Sequence, residues 1–141
     1  MTLIDAIERM AARLDSAGVS FGHGTTNAFD EAAELALWQL GLPLDGLADH
    51  EQRELAADEQ AELDALAARR IETRKPAAYL TGEAWLQGVP FTVDERCIVP
   101  RSLIAEVLAD GTVDAWLSDQ THRVLDLCTG NGSLAVLAAM A

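Results

Sequence analysis

Asp126-Leu-Cys-Thr-Gly-Asn-Gly-Ser133 is the stretch whose residue types and spacing best suit chemistry. Gly130 and Gly132 remove the side chains that would keep a ligand from bare backbone N–H groups. Ser133 opens an apolar run, Leu134 to Met140, that reads as a helix, and a helix N-terminus attracts anionic or polar ligand groups. Asp126 places a carboxylate where a cationic or hydroxyl-bearing group would meet it. The spacing is G-x-G, so the G-x-G-x-x-G dinucleotide fingerprint is incomplete. Three readings stay open from these residues: an adenosylmethionine loop, another nucleotide loop, or an ordinary strand–turn–helix.

Such a loop needs a rigid support. Val124, Leu125 and Leu127 form a short apolar run that suits a buried parallel strand feeding the turn, the first unit of a doubly wound sheet. Upstream, Ile98-Val99-Pro100-Arg101-Ser102 leads into a helix capped by Ser102, with Leu103, Ile104, Val107 and Leu108 expected inward and Gly111 at its end. Val113, Trp116 and Leu117 are expected to be half-buried. Ala84 to Gln87, Gly88, and Pro90 to Val93 alternate around a turn and predict a β-hairpin.

The first 75 residues have a different texture. Apolar residues at helical spacing predict a helix from Thr2 to Gly18, a nearly all-apolar one from Asn27 to Gly41, and a third over about 58–74. Arg69, Arg70 and Arg74 fall where the third helix's dipole favours cations. His23 lies between Gly22 and Gly24 in the first connection and reads as a loop residue. Residues 45–64 are strongly acidic against a single Arg53, which suits a solvated face or a docking surface for a basic protein. Lys75-Pro76 marks a boundary, since the residue before proline is pushed out of the helical region.

Composition narrows the function classes. The 141 residues carry 23 acidic against 10 basic side chains, a formal charge of −13, which disfavours nucleic acid and anionic membrane as partners. Half the residues are hydrophobic, enough for a core. Cys97 and Cys128 have no ligand spacing, so neither zinc nor a disulfide framework is expected. The charged N-terminus resembles no signal peptide, and a cytoplasmic location is expected.

Taken together, Arg74-Lys75-Pro76-Ala77-Ala78-Tyr79-Leu80-Thr81-Gly82, Gly88-Val89-Pro90-Phe91, Ile98-Val99-Pro100-Arg101 and the 124–132 stretch resemble, in order and spacing, the N5-glutamine methyltransferase family that modifies translation proteins. The Ser102-Leu103-Ile104-Ala105-Glu106 continuation, Phe21-Gly22-His23-Gly24-Thr25 and Cys128 are similar to the branch acting on the third large-subunit ribosomal protein.

The resemblance implies an α-helical N-terminal bundle for substrate recognition (1–75), a β-hairpin linker (76–100), and the first strand–loop–helix of a truncated Rossmann-like α/β methyltransferase domain (101–141). It implies S-adenosylmethionine as cofactor, held by Asp126, Cys128, Thr129, Gly130, Asn131 and Gly132, with Pro100 and Arg101 lining the pocket. The partner implied is a ribosomal protein substrate, with no direct nucleic-acid or membrane contact. The family's Asn-Pro-Pro-Tyr catalytic loop does not occur in these residues, so no catalytic residue is assigned and no metal is expected. The chain is therefore expected to be an inactive part of a longer product that self-associates through its apolar tail. The alternative is a stand-alone acidic docking module.

Overall fold

The computed structural model describes residues 1–141, which form two compact units, Met1–Thr81 and Gly82–Ala141. The first is helical: α1 (Leu3–Ser16), α2 (Ala28–Gln39), the single turn α3 (Leu47–His50), α4 (Ala57–Thr73) and the short α5 (Ala77–Thr81). Its ends follow side-chain logic. Thr2 and Asp5 form a reciprocal capping box on α1, while Asn27 accepts from the Asp30 N–H to start α2. The N–H groups of Leu3 and Ile4, orphans of a first turn, donate to the carbonyls of Arg53 and Glu51 at 2.9 and 3.0 Å.

α2 is central, packing against α1, α4 and α5. Leu3, Ile7, Leu14, Leu35, Leu37 and Leu63 are essentially sealed from solvent. Each such side chain contributes about 1.5–3 kcal/mol of apolar burial. Ala77 belongs to this core and Leu80 packs on it, so the compact unit continues past Lys75-Pro76 to Thr81.

In the second unit, β1 (Glu83–Leu86) and β2 (Val89–Thr92) pair antiparallel with Leu86 opposite Val89. Gln87 and Gly88 both have positive φ, 51° and 73°, the two-residue geometry that matches strand twist. Next come α6 (Leu103–Ala109), a 3₁₀ turn (Thr112–Trp116) and α7 (Ser133–Met140). α6 packs on α7, with Ala105 and Leu137 buried.

Three expectations are corrected here. The strand expected at Val124–Leu127 does not form: Val124, Leu125 and Leu127 are 72%, 80% and 77% exposed. A parallel strand needs a neighbour to complete its ladder, and the only two strands, β1 and β2, pair with each other. The second unit therefore holds the hairpin and the loop–helix, but not the start of a parallel sheet. Leu103 and Ile104, expected inward, are exposed, and Ala105 takes the buried position of α6. Trp116 and Leu117 are exposed rather than half-buried.

Candidate functional site

The 126–133 loop is shaped by backbone choices that sequence alone suggested only in part. Cys128, Gly130 and Gly132 have φ of 58°, 60° and 85°, so the chain reverses hand three times before α7 begins. A Cβ built on Gly130 or Gly132 meets nothing within 4 Å. These glycines serve the left-handed path and leave open space beside it, rather than relieving a packing clash. Cys128 takes the same conformation with a side chain, at the cost that αL imposes on a non-glycine residue.

Side chains then fix the turn. Thr129 Oγ1 donates to Asp126 Oδ2 at 2.7 Å, which orients that carboxylate. The Gly132 N–H donates to the Thr129 carbonyl at 2.9 Å, and Asn131 Oδ1 accepts from the Ser133 N–H at 3.3 Å, a local turn just before α7. Asn131 Nδ2 is buried and has no acceptor within the chain. An orphaned buried amide donor beside an open glycine path suits an acceptor-bearing ligand.

Pro100 is half-buried and Arg101 exposed, immediately before Ser102, whose Oγ accepts from the Ile104 N–H at 3.1 Å. A cavity of about 330 Å³ lies elsewhere, bordered by Leu108 and Ala109 of α6, Leu137 and Met140 of α7, and Gln87 and Val89 of the hairpin. It touches the C-terminal turn of α7, not the loop that opens this helix. No group of three or more His, Cys, Asp or Glu side chains is arranged to hold a metal ion.

In the first unit, much of the acidic segment is engaged. Glu59 takes Arg53 and the Ala56 N–H, the latter the larger influence holding its carboxyl below the ordinary range. Asp64 takes Arg9 and Arg13, Glu54 the N-terminal ammonium, and Glu62 the Gln39 amide.

Sequence reasoning missed the buried pair Glu31–Arg70. Arg70 Nε donates to Glu31 Oε1 at 2.6 Å, with side chains 2% and 5% exposed. Arg70 does not serve the helix dipole at the surface: its guanidinium also donates to the Ser20 carbonyl at 2.9 Å. The signal was spacing. Arg70 continues the Leu63, Leu66, Ala67 stripe, and Glu31 sits among Ala28, Ala32 and Leu35 on α2.

Comparison with known proteins bears on these features. The family described as PrmC N-terminal domain matches residues 5–82. A Bordetella pertussis protein named ribosomal protein uL3 glutamine methyltransferase is 49% identical over 142 residues, covering 99% of this chain and 47% of its own length. Proteins of the same name in Neisseria meningitidis serogroup B and Xanthomonas campestris are each 46% identical, over 98% and 96% of this chain and 46% and 44% of theirs. The chain spans about half the length of these curated relatives. With more than half of its residues inside the match, and with the helical unit that match covers, the chain belongs to the PrmC N-terminal domain family.

Proposed function

We propose that the chain is the amino-terminal half of an adenosylmethionine-dependent protein-glutamine methyltransferase whose substrate is ribosomal protein uL3. The observation that carries this reading is near-half identity to uL3 glutamine methyltransferases along 99% of the chain, through both units. The helical unit is the substrate-recognition part, and residues 126–132 are the cofactor loop. A cytoplasmic location follows from a ribosomal substrate, and no helix is long and apolar enough to cross a membrane.

The loop's residues fit such a cofactor. When bound, adenosylmethionine supplies an electrophilic methyl group on a sulfonium. Asp126, oriented by Thr129, offers a carboxylate to the cofactor's cationic part, and Asn131 Nδ2 offers its unpaired donor to a carboxylate. The open side of Gly130 and Gly132 lets that ligand reach backbone N–H groups at the start of α7. Pro100 and Arg101 line the pocket in this reading. An amide nitrogen is a poor nucleophile because its lone pair is delocalised, so the substrate glutamine must be held in line with the methyl. No residue of this chain is assigned that grip.

The test is a chimera joining residues 1–141 to the remaining half of the Bordetella pertussis relative, incubated with methyl-labelled adenosylmethionine and uL3. Label on a glutamine nitrogen, lost in Asp126→Ala, is expected; an unlabelled uL3 refutes the reading. A second reading, an acidic docking module acting alone, draws on charge. Residues 1–81 hold 15 acidic against seven Arg and Lys side chains. Salt-sensitive binding of uL3 by the chain without methyl transfer in the chimera would favour it.

A further inference from the structure

We infer that the second unit carries a binding site for a small organic cation, an apolar body ending in an ammonium or guanidinium group, in the cavity bordered by the hairpin turn, α6, the 3₁₀ turn and α7. The site lies at the end of α7 away from the 126–132 loop and is independent of the methyl-transfer reading. At about 330 Å³ it is at the small end of the ~300–1,000 Å³ range of ligand sites, so its ligand is small. Its inner wall is apolar. Ala105 of α6 and Leu137 of α7 are buried and both border it, with Val89, Leu108 and Met140 completing the wall.

The mouth is polar and unpaired. Gln87 and Asp114 both border the cavity, both are exposed, and neither side chain takes a partner from the chain. The 3₁₀ turn fixes the backbone of Asp114: its N–H donates to the Gly111 carbonyl at 3.0 Å, and its carbonyl accepts from the Leu117 N–H at 3.1 Å. Gly111 is needed twice over. Its φ is 72°, and a Cβ on it would stand 2.9 Å from Asp114 Oδ2, so the glycine leaves the carboxylate its place across the turn. Gln87 takes the first left-handed position of the hairpin turn, φ 51°, where Asn, Asp or Gly is the usual residue, and sets a longer amide at the mouth.

The bordering elements select the sign of the ligand. The hairpin, α6, the 3₁₀ turn and α7 contain no Lys, Arg or His, and among them they carry Glu83, Glu106 and Asp114. An anion finds no cation there to pair with. A cationic head finds the Asp114 carboxylate and the Gln87 amide oxygen, both acceptors, while its apolar body covers the wall behind them. Because the mouth is open to water, the charge pair adds little. Contact with Val89, Leu108, Leu137 and Met140 supplies most of the affinity, so binding is weak and the preference for a cation modest.

The test titrates the chain, methyl-labelled at Val, Leu and Met, with n-hexylammonium, and with n-hexanol and n-hexanoate as its neutral and anionic matches, followed by NMR. Hexylammonium is expected to shift the methyls of Val89, Leu108, Leu137 and Met140 with a millimolar dissociation constant. Hexanol should bind about fivefold more weakly and hexanoate more weakly still. Asp114→Asn should bring hexylammonium to the hexanol value with an unchanged melting curve. Equal binding of the three molecules, or parent-like binding by Asp114→Asn, overturns the cation assignment. Silence at the four methyls, or shifts spread equally over Leu103, Leu125 and Leu127 outside the cavity, overturns the site itself. The same four methyls must respond in the chimera; their silence there means that polypeptide following Ala141 fills the cavity, which also overturns the site. The methyl-transfer reading is untouched by any of these outcomes, since it is judged by label in uL3.

Discussion

Removing the charge from Glu31 alone, as Glu31→Gln, is the perturbation whose cost the structure defines best. Arg70 is 2% exposed, so its guanidinium cannot turn to water when the carboxylate goes. Breaking one partner of such a pair costs about 3–5 kcal/mol, against about 0–1 kcal/mol for a surface pair. Arg9–Asp64, with side chains 44% and 47% exposed, is the internal control of that second kind.

At roughly 0.05–0.15 kcal/mol per residue, the whole first unit holds about 4–12 kcal/mol, so the single change takes a large part of it. With a urea slope near 1 kcal/mol per molar, the midpoint should fall by about 3–5 M or the unit should already be partly unfolded. The double variant Glu31→Leu with Arg70→Met leaves no buried charge and should recover all but about 1 kcal/mol, a strongly non-additive cycle. Urea unfolding followed by circular dichroism gives all four corners. A loss under about 1 kcal/mol for Glu31→Gln, or additive singles, would refute the claim that the pair is desolvated and coupled.

Four further outcomes are expected. Gly88→Ala, at φ 73° with open space around it, should destabilise the hairpin by about 1 kcal/mol through backbone strain alone, seen as faster exchange of the β1–β2 amides. Thr2→Ala should cost about 1 kcal/mol in thermal unfolding of the first unit by opening the capping box. Hydrogen bonds from Arg96 hold the Asp94 carboxyl down from 3.8 to about 2, and the Thr2 side chain lowers Asp5. A carboxyl depressed on folding stabilises fully above its ordinary pKa and loses that contribution as pH falls. Melts between pH 5 and pH 2 should therefore decline from about pH 4 downward, less steeply in Asp94→Asn; an unchanged slope would refute the Asp94 share. Leu103, Val124, Leu125 and Leu127 are largely exposed, so the chain should self-associate in light scattering, and Leu125→Glu should reduce it.

What could be read from the sequence was what local chemistry decides. Thr2, Asn27 and Ser102 are caps because their side-chain oxygens satisfy first-turn N–H groups, and any chain with those residues there has the same need. The hairpin was visible because Gly88 marks a turn between two alternating runs. What failed depended on distant partners. Val124–Leu127 has the composition of a buried strand, yet composition cannot supply the neighbouring strand that makes one. Leu103 and Ile104 have the periodicity of an inner face with nothing packed on it. Arg70 was read as a cation serving the helix dipole, although its place in the Leu63–Ala67 stripe put it inside. In the candidate loop, Gly130 and Gly132 were legible, whereas the left-handed Cys128 and the unpaired Asn131 amide were not, since both arise only once the turn is closed.

The strap at the amino terminus bears on how the chain emerges during synthesis. Leu3 and Ile4 give their N–H groups to carbonyls at 53 and 51, Met1 accepts from the Leu55 N–H, and its ammonium reaches Glu54. The helix made first is thus finished by residues made much later, and until those leave the ribosome its leading turn depends on water and on Thr2 alone. A pause in translation while residues 51–55 are still inside the ribosome would hold the nascent chain with that end unfastened, while a pause after they have emerged would let the strap close.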